Sequence, residues 1–198
     1  MDSTTNLINT TYGYQPEIHY LVAGASGCGK TTFLERITTG NIGTDESRIP
    51  HKQYILTNSA QTNAPILNFH ENECLDSNEK QLRPDVLILC FDIGNPDTLQ
   101  TVGDLNRTLA EKHGADIPTL ILGLKRDLRN EEYREGKFID PMVGYKTAQT
   151  LECTGYMECS AVTEELIPVV VEDLVKKGLD VKAGKQYETS GIGNCCVQ

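Results

Sequence analysis

Residues 24–31 constrain this chain more than any other stretch. They read Gly24-Ala25-Ser26-Gly27-Cys28-Gly29-Lys30-Thr31 and satisfy every fixed position of the pattern G-x-x-x-x-G-K-[ST]. Glycines let the backbone curl until successive N–H groups point inward as an anion nest. Lys30 supplies a point charge for the β- and γ-phosphates of a nucleotide. The Thr31 hydroxyl suits the Mg²⁺ that bridges them. The flanks agree. Ile18-His19-Tyr20-Leu21-Val22-Ala23 reads as a buried strand running in, and Thr32-Phe33-Leu34-Glu35-Arg36-Ile37 as a helix running out. The helix presents its positive amino end to the same phosphates. The phosphate site is therefore assigned to Gly24, Ser26, Gly27, Cys28, Gly29, Lys30, Thr31 and Thr32. Thr31 is also the metal ligand.

The rest of the chain supplies strands and helices in alternation. Residues 51–57 and 64–69 read as two strands joined by the turn-prone residues 58–63. Val86-Leu87-Ile88-Leu89-Cys90-Phe91 and the run 118–123 are continuously apolar, as expected of strands covered on both faces. Asn95-Pro96 and Asp140-Pro141 each pair a capping side chain with a first-turn proline and so start helices. Leu99, Val102, Leu105, Asn106 and Leu109 continue the first at helical spacing, and Val143, Ala148 and Leu151 give the second an apolar face. Residues 156–159 are a short strand. Residues 161–177 read as the last helix, with Pro168 tolerable only near its first turn. This alternation predicts an α/β fold with a mostly parallel sheet, whose ligands collect at the carboxyl ends of the strands.

At 198 residues, one domain is the default. Residues 1–16 are expected to be a flexible extension, 17–178 the folded domain, and 179–198 a flexible tail. The net charge of −10 argues against a nucleic-acid partner, which needs a basic patch, and against strong attraction to an anionic leaflet. No apolar run approaches a membrane span, no signal peptide pattern opens the chain, and Asp2 excludes N-myristoylation. Seven cysteines without a C-x-x-C pair or a zinc spacing suit a reduced, cytosolic compartment. Cys90 and Cys159 read as buried small hydrophobes.

Four segments together resemble the Rho-type members of the Ras superfamily of small GTPases: the loop 24–31, the run 118–127, Tyr156 to Ala161, and the last four residues. The resemblance covers residues 17–178 and implies the P-loop NTPase small-GTPase fold, a six-stranded, mostly parallel sheet flanked by helices. It implies GTP/GDP and Mg²⁺ as ligands, with effector and regulator proteins as partners. Lys125 and Asp127 match the base-reading [NT]-K-x-D motif. The Asp accepts from guanine N1 and N2, a donor pair that adenine lacks, through charge-assisted bonds. Glu158-Cys159-Ser160-Ala161 looks like the family's base-clamping strand end. The guanine site is thus Lys125, Asp127, Ser160 and Ala161. Cys195-Cys196-Val197-Gln198 fits a C-a-a-X signal, with Gln favouring farnesyl on Cys195 and Cys196 a departure from the aliphatic pattern. One lipid anchors only marginally, so the resemblance implies reversible residence at the cytoplasmic face of membranes, the plasma membrane first, and in the cytosol.

The middle of the chain departs from the family. Leu124 replaces the polar first residue of the base motif, which braces the phosphate loop. The stretch His70-Glu71-Asn72-Glu73-Cys74 stands where the family has D-x-x-G-Q. No Asp, Gly or Gln is in place, and Glu71 and Glu73 are expected to face the γ-phosphate and repel it. Ile49-Pro50-His51 replaces the first switch's I-P-T, and histidine is a poor Mg²⁺ ligand. Ser26 takes a glycine position beside the γ-phosphate, and the segment between Asp127 and Asp140 is shorter than the Rho insert. Asp92 lies on the wrong strand to hold the metal and reads as structural. His51 and His70 read as surface histidines. No catalytic residue is assigned, and hydrolysis and switching are expected to be impaired. The alternative is a nucleotide-independent pseudo-GTPase scaffold. A P-loop kinase or ATPase fits the guanine motifs and the tail less well.

Overall fold

The computed structural model of the protein describes residues 15–40, 53–57, 64–71, 83–131 and 138–185. Among the described residues, six strands form one sheet: β1 (Glu17–Gly24), β2 (Gln53–Leu56), β3 (Ile66–Glu71), β4 (Val86–Asp92), β5 (Thr119–Leu124) and β6 (Gly155–Glu158). Their spatial order is β2-β3-β1-β4-β5-β6. Only β2 runs antiparallel to its neighbour. The sheet is therefore mostly parallel, as the alternation of elements requires. The helices are α1 (Lys30–Thr39), α2 (Pro96–His113), α3, a single turn (Leu128–Glu131), α4 (Pro141–Thr150) and α5 (Ile167–Lys182).

Each face of the sheet has its own core. Period-two alternation along β1 sends Ile18, Tyr20 and Val22 to one face, where Phe33 and Leu34 of α1 and Val170 and Leu174 of α5 cover them. Leu87, Leu89 and Phe91 of β4 point to the other face, under Val102 and Leu109 of α2 and Ala148 of α4. β4 and β5 are buried along their length, hence their unbroken apolar sequences. Cys28, Cys90 and Cys159 are wholly buried. Burial pushes all three thiols up, so they remain neutral packing groups.

The proline-led helix starts are in place. The Asn95 side chain accepts the Asp97 N–H at 3.2 Å, and the Asp140 side chain accepts that of Met142 at 2.7 Å. Two boundaries and one helix face differ from expectation. α5 begins at Ile167 rather than 161, because residues 161–166 form turns in which Glu164 and Leu166 adopt positive φ; Pro168 then falls in the first turn. α5 also continues to Lys182, beyond the expected start of the tail at 179, because Val181 still packs against the core. On α4, Val143 is half-exposed. Gly144 takes the inward position, where a Cβ would lie within 2.5 Å of the Tyr156 ring.

α5 sits unusually close to β1. A Cβ on Gly178 would meet Ile18 Cγ2 and Tyr20 Oη at 2.5 Å, and the Tyr20 hydroxyl donates to the Leu174 carbonyl at 2.8 Å. Gly178→Ala must push the helix outward. It is expected to lower unfolding stability by about 1–3 kcal/mol, the usual cost of overpacking, measured by urea denaturation.

His70 is not a free surface histidine. On the sheet face opposite Tyr20, His70 Nε2 lies 3.2 Å from Nδ1 of His19, so one ring donates and the other accepts. Glu17 lies 4.0 Å from His19 Nε2, and the His19 backbone N–H donates to Asp85. Burial, and then His19, hold the His70 pKa below its usual value. The unfolded chain therefore takes up a proton near pH ~6.5 that folded His70 resists, so stability falls as pH drops through that value. Thermal melts are expected to show Tm falling between about pH 7.5 and 5.5, less steeply in His70→Gln. The Pro16 carbonyl accepts the Ile66 N–H at 3.0 Å, extending the β1–β3 pairing to the residue before Glu17.

Candidate functional site

The phosphate loop leaves β1 at the carboxyl edge of the sheet and runs against β4. A Cβ on Gly24 would lie 2.4 Å from the Cys90 carbonyl oxygen, so only glycine allows this approach. Gly27 and Gly29 have φ of 72° and 109°, the left-handed region that favours glycine. Gly29 caps α1 with its backbone, and the helix begins at Lys30. Gly24, Ser26, Gly27, Gly29, Lys30, Thr31 and Thr32 all line one cleft of about 360 Å³. Cys28 does not. Its N–H is turned to the Ala25 carbonyl at 3.3 Å and its side chain enters the core, because the bend at Gly27 directs this residue to the rear of the loop.

Lys30 is 5% exposed. Its Nζ donates to the Gly24 and Ala25 carbonyls at 3.0 and 3.1 Å, which spans the loop and leaves one of three ammonium donors for a ligand. The Thr31 hydroxyl donates to Glu71 Oε1 at 2.7 Å. Glu71 is 5% exposed and lines the same cleft, and its Oε2 is buried without a hydrogen-bond partner among the described residues. The expectation that no aspartate stands here holds, but the contact between Glu71 and Thr31 was not foreseen. A glutamate, not an aspartate, ends β3 and reaches Thr31. The reason is register: β3 runs two residues past Phe69, pairing Glu71 with Val22, and carries the carboxylate to the cleft edge. Glu71 does face the cleft as expected. Glu73, the Ile49-Pro50-His51 segment, residues 132–137 and Cys195 lie outside the described residues.

A buried carboxylate oxygen without a partner is costly. Beside it stands a hydroxyl oxygen, and a hard divalent cation prefers oxygen ligands of this kind. The donor set therefore fits Mg²⁺, with Thr31 and Glu71 as the residues that would hold it.

The base motif meets the loop from the other side. Lys125, with φ of 62°, lines the cleft and donates to the Gly27 carbonyl at 2.9 Å and to Asp92 Oδ2 at 2.8 Å. Leu124 is buried and packs under the loop: a Cβ on Gly29 would lie 3.6 Å from its Cδ1. The Ser160 hydroxyl donates to Asp127 Oδ1 and accepts the Thr163 N–H at 3.1 Å. Ala161 follows in the same turn, its carbonyl taking the Arg36 Nε–H at 2.8 Å. The four residues assigned to the base thus gather at the carboxyl ends of β5 and β6.

Behind them lies a network that sequence reasoning did not single out. Glu158, 5% exposed, accepts from both guanidinium nitrogens of Arg129 and from the Tyr156 hydroxyl. Arg126 bridges to Glu165 and approaches Glu158 at 3.7 Å. Burial alone lowers the Arg129 pKa, and the Glu158 bonds more than offset it. Tyr156 is pushed up by burial and by Glu158. This network holds the β5 and β6 ends in fixed relation. The Leu124-Lys125-Arg126-Asp127-Leu128-Arg129 phrase was its only local trace.

The family model described as Ras family matches residues 19–180. That span runs from β1 through α5 and includes the phosphate loop and both base-reading segments. With the strand order, the loop after β1 and the Lys125 and Asp127 placement in view, the chain belongs to the Ras family, and so to the small GTP-binding proteins of the Ras superfamily.

Proposed function

We propose that this protein is a Rho-like, guanine-nucleotide-binding signalling protein that holds GDP or GTP with Mg²⁺ and hydrolyses GTP slowly or not at all. The observation that carries the reading is the contact between the base segment and the phosphate loop. Lys125 lines the phosphate cleft and reaches the Gly27 carbonyl, while two residues on, outside the cleft lining, the Asp127 carboxylate is fixed by Ser160. In this reading the loop N–H groups and Lys30 take the phosphates, and Asp127 selects guanine by its N1 and N2 donors. The Lys125 stem lies along the base, and Ala161 contributes its N–H to the base carbonyl. Thr31 and Glu71 hold Mg²⁺, which when bound neutralises phosphate charge.

The impaired-hydrolysis part rests on this chain's own residues. Ser26 stands at the cleft with its side chain exposed where a bare backbone leaves more room, and the stretch His70-Glu71-Asn72-Glu73-Cys74 carries no glutamine. Unassisted turnover at or below ~10⁻⁴ s⁻¹ is expected. The Rho-like assignment rests on residues 118–129 and 156–161 and on the terminal Cys195-Cys196-Val197-Gln198. The same tail supports a farnesyl group on Cys195, reversible residence at the cytoplasmic face of the plasma membrane and in the cytosol, and recruitment of effector and regulator proteins there.

The test is mass analysis of the nucleotide retained by desalted native protein, followed by single-turnover hydrolysis over hours with Mg²⁺. Retained GDP or GTP with slow loss of the γ-phosphate supports the reading. Rapid turnover overturns the impaired-hydrolysis part. Absence of nucleotide together with no binding on titration overturns the whole and leaves the scaffold reading.

A further inference from the structure

We propose that Asp92 is a positioning residue for the nucleotide site, holding the Lys125 ammonium on the phosphate loop. The inference rests on the guanine-nucleotide reading above and adds a residue to it. Asp92 ends β4, between the strand that feeds the phosphate loop and the strand that feeds the base loop. Its backbone is fixed: its N–H donates to Thr98 Oγ1 at 2.9 Å. Its carboxylate divides its two oxygens. Oδ1 accepts the Gly94 N–H at 2.7 Å, closing the turn into α2, and Oδ2 accepts Lys125 Nζ at 2.8 Å. The same Nζ donates to the Gly27 carbonyl at 2.9 Å.

One ammonium thus joins three segments. The anchor matters because Leu124, the preceding residue, is apolar and meets the loop only by packing. The Lys125 side chain is 38% exposed and has a flexible stem, whereas Asp92 is 13% exposed and rigidly placed. The carboxylate therefore lowers the entropy that the lysine must lose to sit on Gly27. Lys125 also holds a left-handed backbone conformation at φ 62°, a strained choice for a non-glycine residue that brings its side chain back toward the loop.

Asp92→Asn separates this role from a turn-forming one. The amide keeps a carbonyl oxygen for Gly94 N–H and presents to Lys125 an NH₂ group that cannot accept. The dissociation rate of a fluorescent GDP analogue in Mg²⁺ is expected to rise about tenfold in Asp92→Asn, the scale of losing one partner of a partly exposed ion pair. Lys125→Met, which keeps the stem, should give a similar rise. The double variant should be no faster than the faster single one. Tm of nucleotide-free Asp92→Asn should match the parent. An unchanged release rate in Asp92→Asn beside a raised one in Lys125→Met overturns the inference, as do additive effects in the double variant. A parent protein that binds no GDP analogue instead overturns the nucleotide reading on which it rests.

Discussion

Lys30→Ala is expected to weaken guanine-nucleotide binding roughly a hundredfold, the equivalent of about 3 kcal/mol for the one charge-assisted bond to phosphate that its free donor can make. The size follows from position. The ammonium is 5% exposed, so its contacts are made where water competes poorly. It also spans the loop through the Gly24 and Ala25 carbonyls, so alanine removes both the charge and the internal strut. Titration of nucleotide into the Mg²⁺-loaded variant, beside the parent, checks this. A scaffold that keeps the loop only for its shape predicts a different result: no nucleotide affinity in either protein and equal partner binding. Loss of affinity in the variant alone separates the two.

Glu71→Gln is expected to lower the Mg²⁺ affinity of the nucleotide complex by about 10- to 100-fold, the usual range for a residue that supports a metal ligand. Glutamine keeps an acceptor for the Thr31 hydroxyl, so the 2.7 Å bond can persist. What disappears is the charge and the buried Oε2, which has no other partner among the described residues. The midpoint of nucleotide release against free Mg²⁺ should move to higher concentration by that factor. The charge-repulsion expectation has the opposite sign. If Glu71 only opposes the γ-phosphate, glutamine must tighten GTP binding and leave the Mg²⁺ midpoint alone. A single titration series decides between them.

Much of the fold was legible because its signals are local. Unbroken apolar runs at β4 and β5 reflect burial on both faces, and Asn95-Pro96 and Asp140-Pro141 carry cap and proline together. The phosphate loop was legible because glycine spacing and lysine position are dictated by a fixed ligand shape. Three things were not legible, for separable reasons. The carboxylate partner of Thr31 depended on the length of β3. Ending that strand at Phe69 leaves Glu71 in a loop; two more residues place it in the cleft, since strand register decides which side chain reaches which neighbour. Asp92 and Lys125 are 33 residues apart, and nothing in either neighbourhood announces the pair. The start of α5 was set too early because residues 161–166 contain helix-compatible types, while the Ser160–Thr163 bond and the left-handed Glu164 and Leu166 impose turns. In each case the missing information was a through-space contact rather than a propensity.

The close seating of α5 has a geometric consequence. The helix descends antiparallel to β1, with Gly178 against Ile18, and its last turn is pinned by Lys182 to Asp85 just before β4. It therefore delivers the chain to the amino ends of the strands, whereas the nucleotide cleft opens at their carboxyl ends. The 13 residues beyond 185 span at most roughly 45 Å fully extended. The segment that follows Lys185 thus leaves the domain on the side opposite the nucleotide cleft, and whatever that segment binds need not obstruct the cleft.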